Sequence, residues 1–289
     1  MRQVSDPNSG PRRADALPLL SSTDNVHIRY VRSLQKKRVR YRDKRFVIEG
    51  LRLVTHALQR GVRPALAFYT QDFAASIEGG QLVQALATAG SRVWAVSPVV
   101  MATLSDTVAP QGIVAVSPMP EPVPTLAQFS TLLLILDNIR DPGNLGTILR
   151  TAQATHVDAV LLSEGCVDPY APKVVRAGMG AHFGLPLFPD LAWPQIEPLI
   201  AGKKCLLSEM LGALAPWEVD WTVPLALIVG SESHGVSEEA RRLAHGSVRL
   251  PMTAEVESLN AAIAAAVLLF EAEHQRHWDS PSPHLPRRE

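Results

Sequence analysis

Asn144 and Arg150 stand six residues apart at the head of a helix, in the run "TLLLILDNIRDPGNLGTILRTA" (131–152). An amide and a guanidinium placed there can orient an anionic oxygen and stabilise its charge. A strand that enters a helix through a glycine turn usually holds a nucleotide phosphate. Here "DPGNLG" offers G-x-x-G where a dinucleotide needs G-x-G-x-x-G, and a Walker lysine is absent. Asp-Pro-Gly-Asn alone is an ordinary turn, with Pro pre-set and Gly tolerating positive φ. Asn144 and Arg150 are what that plain reading leaves unexplained.

Two later runs have the same polar character. "LIVGSESHGVSEE" (227–239) approximates the G-x-S-x-G nucleophile elbow with Ser233 as nucleophile. A hydrolase of that type needs its acid and histidine on later strand ends, and only one strand and one long helix follow. In "LPMTAEVESLNAAIAAAVLLFE" (250–271), Ser258 and Asn260 open an alanine-rich helix. "HQRH" (274–277) sets two histidines at i, i+3, but no nearby Cys or carboxylate set completes a metal site. A solvated helix end and no metal are expected.

These runs need strands and helices to position them. After "PMPEPVPT" (118–125), apolar strands alternate with helices. The strands are "TLLLILD", "VDAVLLS", "GLPLFP", "KCLLSE", "PLALIVG" and "SVRLP". The helices fall at 145–154, near 170–180, near 192–202, at 237–245 and from about 258 to 277. Near-continuous apolar strands imply a parallel sheet covered on both faces. Upstream, "FVIEG", "PALAFYT", "RVWAVS" and "GIVAVS" alternate with helices at "LRLVTHALQRG", "GGQLVQALATAG" and "VVMATLSDT", a smaller α/β unit. The expected organisation is a disordered lead-in at 1–25, a small α/β domain at 26–117, a linker at 118–130, a larger α/β domain at 131–277 and a tail at 278–289.

The 289 residues are 46% hydrophobic, 19% charged and 6% aromatic, a globular composition. The longest apolar run, "AAIAAAVLLF", falls well short of a membrane span. An apolar signal core is absent from the N-terminus, and Cys166 and Cys205 form no CxxC. The expected setting is therefore a reducing cytoplasm, with no membrane partner. Net charge is zero, yet nine basic residues against one acid crowd Arg29–Arg45. A cluster this dense faces a polyanion more often than bulk water. Arg32, Lys36, Lys37, Arg38, Arg40 and Arg42 are the candidate RNA contacts, with Tyr30 and Tyr41 beside them for unstacked bases.

Taken together and in order, the three polar runs resemble the SpoU/TrmH family of SPOUT methyltransferases. The family's N-x-x-D-P-x-N-x-G-x-x-x-R-T-A motif reads "NIRDPGNLGTILRTA" here, its G-x-E-x-x-G-[VL] motif reads "GSESHGV", and "LPMTAEVESLNAAIAAA" matches its third. "DPYAPKVVRAGMGAHFGLP" (168–186) resembles the segment between the first two motifs, with Gly178 where a serine is commoner. "YRDKRFVIEG" and "TVAPQGIVAV" more weakly resemble the family's ribosomal-protein-like substrate-binding domain. The resemblance implies an α/β fold whose parallel sheet ends in a deep trefoil knot. S-adenosylmethionine would bind to backbone groups of Gly230, Leu250 and Leu259, with Ile228, Met252 and Ser258 nearby. It implies methyl transfer to a ribose 2′-hydroxyl of RNA, most readily 23S rRNA. Arg150 would act at the 2′-hydroxyl, Asn144 would orient that arginine or the ribose, Glu232 matches the second-motif glutamate as a catalytic residue, and Ser258 and Asn260 would hydrogen-bond in the same pocket. A homodimer through the C-terminal domain would complete the site. On the final helix, Ala261, Ala264 and Ala265 permit close approach, and Leu268 and Leu269 offer burial. The alternatives are a tRNA ribose methyltransferase and a non-catalytic RNA-binding protein on the same fold.

Overall fold

The computed structural model describes residues 19–121, 130–231, 234–253 and 258–278. Most of the expected lead-in, residues 122–129 of the expected linker, Glu232, Ser233 and the tail from 279 lie outside the described residues.

In the first half, β1 (Arg45–Glu49), β2 (Leu66–Tyr69), β3 (Arg92–Ala95) and β4 (Ile113–Pro118) pair in the order β1-β4-β2-β3. The interior strand β4 runs antiparallel to β1 and β2, while β2 and β3 are parallel. Burial follows position: β1 at the edge alternates, burying Phe46 and Ile48, whereas β4 is buried continuously from Ile113 to Ser117. Around the sheet lie α1 (Val26–Ser33), α2 (Lys37–Asp43), α3 (Leu51–Gln59), α4 (Gln71–Ala75), α5 (Ile77–Thr88) and α6 (Pro98–Leu104). The basic cluster is helical. It occupies α1 and α2, which are anchored by Ile28, Val31 and Val39.

In the second half, all strand pairings are parallel. The strands β5 (Leu132–Asp137), β6 (Ala159–Ser163), β7 (Leu187–Leu191), β8 (Lys204–Ser208), β9 (Leu225–Gly230) and β10 (Gly246–Val248) run in the order β10-β8-β9-β5-β6-β7. Every residue of β5 and β6 is buried, as the unbroken apolar runs require. The helices are α7 (Pro142–Ala154), α8 (Pro172–Gly178), α9 (Trp193–Ile200), α10 (Glu238–Leu243) and α11 (Ala261–Glu273), the last continuing into a π-turn at His274–Trp278. Among the described residues no helix is long and apolar enough to cross a membrane.

The Asp-Pro-Gly-Asn turn is the start of α7. Asp141 Oδ1 accepts the Asn144 N–H at 2.7 Å, and Pro142 occupies the first helical position, where its missing N–H costs nothing. Gly146 then lets α7 close on α8. A Cβ at this position would lie 2.4 Å from Ala177 Cβ and 2.8 Å from the Val174 carbonyl oxygen.

A polar and aromatic seam joins the two halves. Phe46 of β1 packs its ring 5.1 Å from Tyr170 and 5.9 Å from His182, within a buried cluster spanning both sheets. Beside it, Arg40 bonds Asp168 through Nε at 3.1 Å and through Nη2, and donates to the Leu34 and Gln35 carbonyls at 2.7 Å. Tyr41 donates to the other Asp168 oxygen at 2.9 Å. Burial and the Asp168 charge push the Tyr41 phenol well up, so it stays a donor. Arg40 is 3% exposed. The expectation that Arg40 meets RNA is thereby corrected: its charge is consumed by Asp168 across the seam. Tyr41 leaves the base-stacking set for the same reason.

The final helix also corrects an expectation. Ala261, Ala265, Leu268 and Leu269 are buried in the chain's own core, and Ala264 lines a cavity, so they offer no face to a second copy. The outward side of α11 carries Ile263, Val267 and Phe270, which are 52%, 47% and 50% exposed.

Candidate active site

A cavity of about 430 Å³ opens beyond the carboxyl ends of β8 and β9. Open parallel sheets place their ligands in this position. Its walls are Ser208, Glu209, Met210 and Leu211 after β8, Gly230 and Ser231 closing β9, Leu250 and Met252 after β10, and Ser258, Leu259, Ala261 and Ala264 at the head of α11. The volume falls in the range for small-molecule sites, roughly 300–1,000 Å³.

Five of the six residues expected around the cofactor therefore meet in one place: Gly230, Leu250, Met252, Ser258 and Leu259. Ile228 does not line the cavity. Its side chain is fully buried between β5 and β8, opposite Ile135 and Leu207 in register. The β8 wall has no counterpart among the expected residues, and neither has Arg241 of α10, whose Nη1 lies 2.5 Å from Glu209 Oε1. The signal for that wall was the polar break after the strand "KCLLSE", which carries no motif.

The loop after β9 is fixed by its own backbone and by β5. Ser231 and Gly235 exchange N–H···O bonds of 3.1 and 2.8 Å, which hold these two residues side by side. Asp137, buried at the end of β5, accepts the Ser237 N–H at 2.6 Å and the Ser163 hydroxyl at 3.0 Å. This aspartate holds the backbone at Ser237, just after the loop, a role that its place in an apolar strand does not advertise.

The first and third runs touch directly. Asn260 Nδ2 donates to Asn144 Oδ1 at 2.9 Å, while Asn260 Oδ1 caps α11 by accepting the Ala262 and Ile263 N–H groups. Asn260 sits between Leu259 and Ala261, both on the cavity wall, so Asn144 stands at the cavity's lip. Arg150 does not line the cavity. It is exposed on the side of α7 away from buried Leu145, Ile148 and Leu149, and makes no hydrogen bond or ion pair among the described residues. Glu232 lies outside the described residues.

Of the basic cluster, Arg32, Lys36, Lys37, Arg38 and Arg42 are exposed. Lys37 pairs with Asp190 at 2.5 Å and Arg42 with Asp43 at 2.6 Å. At the other end of the chain, His274 and His277 part company. His274 sets its ring 6.0 Å from Trp278, whereas His277 faces Glu273 and His156. The expectation that no carboxylate completes a histidine set is corrected by these contacts.

Comparison with known proteins agrees with this geometry. Residues 131–270 match the SpoU rRNA Methylase family, and residues 25–115 match the MRM3-like substrate binding domain. An uncharacterised tRNA/rRNA methyltransferase of Synechocystis is 32% identical, over 91% of this chain and 96% of its own. The 23S rRNA guanosine 2′-O-methyltransferase RlmP of Bacillus subtilis is 32% identical, over 87% of this chain and 97% of its own. Among solved structures, the AdoMet-bound rRNA methyltransferase of Sinorhizobium meliloti superposes with a TM-score of 0.78 at 29% identity, covering 89% of this chain and 97% of that one. On its cavity, its ordered motifs and these relatives, the chain belongs to the SpoU rRNA methylase family.

Proposed function

We propose that this chain methylates a ribose 2′-hydroxyl of large-subunit ribosomal RNA, with S-adenosylmethionine in the 430 Å³ cavity and Arg150 at the ribose. The observation that carries the reading is the Asn144–Asn260 bond, which brings the first and third motif runs together beside the cavity wall. The cavity suits the cofactor: backbone carbonyls at Gly230, Ser231 and Gly235 can accept from an adenosine, and Met210, Leu250, Met252 and Leu259 give an apolar bed. Bound there, the cofactor supplies a methyl group already activated on a sulfonium. The fold is read as ending in a trefoil knot, a reading that rests on the family match of residues 131–270. The free thiols Cys166 and Cys205 suit a reducing, cytoplasmic setting.

The chain's own task is to hold a weakly acidic hydroxyl in line with that methyl and to stabilise the oxygen as its proton passes to solvent water, the cofactor leaving as the neutral thioether. Guanidinium groups stay protonated in proteins, so Arg150 serves by holding the adjacent phosphate and the developing alkoxide charge. Asn144 orients the ribose from the lip of the cavity, and Ser258 bonds in the same pocket. Purified protein supplied with labelled cofactor should label 23S rRNA and not tRNA, with the label recovered as 2′-O-methylnucleoside. Label in tRNA would return the alternative substrate.

Because Arg150 is exposed and does not line its own cavity, the working unit is read as a homodimer in which α7 of one copy serves the cavity of the other. Ile263, Val267 and Phe270 form one apolar stripe at i, i+4, i+7 on α11, suited to that contact. An obligate interface buries upwards of about 2,000 Å². Light scattering should therefore give a dimer, and Val267→Glu with Phe270→Glu should give a monomer that has lost turnover.

Gly230 makes the cofactor site sensitive to one methyl group. A Cβ at this position would lie 2.3 Å from the Gly235 carbonyl and 2.6 Å from the Val236 nitrogen, backbone that cannot step aside. Gly230→Ala should weaken cofactor affinity at least about tenfold, roughly 1.4 kcal/mol, by isothermal titration.

The RNA face is read from the exposed cations. Replacing Lys36, Lys37 and Arg38 with alanine should flatten the salt dependence of RNA binding. The log–log slope should fall by about 0.7–0.9 for each phosphate that is no longer neutralised. An unchanged slope would return the cluster to a solvated face.

A further inference from the structure

His156, Glu273 and His277 converge at the ends of α7 and α11 remote from the cofactor cavity. His156 Nδ1 lies 3.0 and 3.1 Å from the two Glu273 oxygens, and His277 Nδ1 lies 3.1 Å from Glu273 Oε2. All the candidate ligand atoms fall within 4.8 Å of one another. We propose that these three side chains bind a divalent first-row transition metal, zinc by their chemistry, clamping together the far ends of the two helices that carry the active site.

The buried group is the carboxylate. Glu273 is 5% exposed, and its side-chain bonding partners among the described residues are these two imidazoles. Neutral rings can offer it only two Nδ1 protons, thin compensation for a desolvated charge. A dication in place of those protons satisfies the carboxylate with full charge and uses the Nδ1 lone pairs, the usual role of neutral imidazole. Two imidazoles and a carboxylate are the donor set of open zinc sites.

The geometry needs the two rings, whose ligand nitrogens lie within 4.8 Å of each other, to draw together around the ion. Zinc bonds of about 2.0–2.2 Å in a tetrahedron set ligand atoms roughly 3.3–3.5 Å apart. The present N–O separations must widen by only a few tenths of an ångström. Glu273 and His277 are one helical turn apart, and the π-turn at His274–Trp278 carries His277 towards the corner after α7. There His156 holds φ at 50°, a left-handed conformation that a non-glycine residue adopts at some cost. Both rings keep their Nε2 sides in water, with side chains 68% and 49% exposed.

The fourth position opens on a cavity of about 310 Å³ that His156 and His277 share with Thr131, Asp158, Thr222 and Arg276. Arg276, the cation on that wall, is committed to the Thr131 hydroxyl and to the Thr131 and Val223 carbonyls. Asp158, Asp220 and Glu273 all act on it, so acids outnumber that cation around the site. The field favours a bound dication.

The test uses untagged full-length protein treated with a chelator, titrated with Zn²⁺ by calorimetry and with Co²⁺ by visible absorption. Wild type should take up one equivalent of zinc, give the intense bands of four-coordinate cobalt, and melt at a higher temperature with metal than without. His156→Ala and His277→Ala should each lose that equivalent and the melting shift. Both should fold, because their rings are half exposed or more. His274→Ala, which alters the neighbouring ring, should retain binding. Absence of stoichiometric uptake by wild type, uptake unchanged in either His156→Ala or His277→Ala, or loss of binding in His274→Ala would overturn the site.

Discussion

Arg150→Ala should reduce methyl transfer at least about a hundredfold, the scale of losing one donor aimed at developing negative charge, and leave cofactor affinity unchanged. The separation follows from position. Arg150 is exposed on α7 and does not line the cavity, so removing it subtracts nothing from the cofactor's surroundings. It also lacks a hydrogen bond or ion pair among the described residues, so folding should survive. Arg150→Lys should restore little, because an ammonium lacks the planar fork that can hold a phosphate and an alkoxide together. Turnover measured beside isothermal titration reads both halves of the expectation. Retained turnover would remove Arg150 from the reaction, and lost cofactor affinity would place it in the wrong site.

The second large effect is structural. Arg40→Ala should cost about 3–5 kcal/mol in urea unfolding, because it leaves the Asp168 carboxylate buried without its guanidinium. Arg38→Ala, two residues away and exposed, should cost almost nothing. Acid should loosen the same seam. His182 is fully enclosed, and burial lowers it to about 4 despite the Pro169 carbonyl at 2.7 Å. The unfolded imidazole takes its proton near 6.5 and the folded one only near 4. Between those values the unfolded chain binds more protons, so stability falls as pH drops through that window. A stability that stays flat from pH 6.5 to 4 would contradict the buried, neutral ring.

Arg40 and Arg38 also show where reading the sequence stops. Both belong to one basic run, and nothing local separates them. The residue that claims Arg40 is Asp168, 128 positions away. Long-range pairing of that kind leaves no trace in spacing or composition. The parallel sheet was legible for the opposite reason. Strands such as "LLLILD" and "LALIVG" are apolar on both faces, and a covered parallel sheet accounts for that pattern. The start of α7 was legible because Asp141 and Pro142 are local signals for a helix N-terminus.

The final helix was legible as a helix and not as a surface. It is apolar all round, so periodicity gives no side to choose. The small-residue face that suggested close approach is spent inside the chain, and bulky Ile263, Val267 and Phe270 face outward. In the same way the motif residues line much of the cavity beyond β9 but none of its β8 wall. Met210 and Glu209 enter it through the crossing of the sheet and not through any pattern of their own.

The central claim is that this chain places a methyl group on one ribose of large-subunit ribosomal RNA through Arg150. The direct measurement is a map of 2′-O-methyl positions across 23S rRNA from cells lacking the protein, complemented with wild type or with Arg150→Ala. The account predicts one position unmethylated in the deletion, restored by wild type and not by Arg150→Ala. An unchanged map in the deletion, or full restoration by Arg150→Ala, would contradict it.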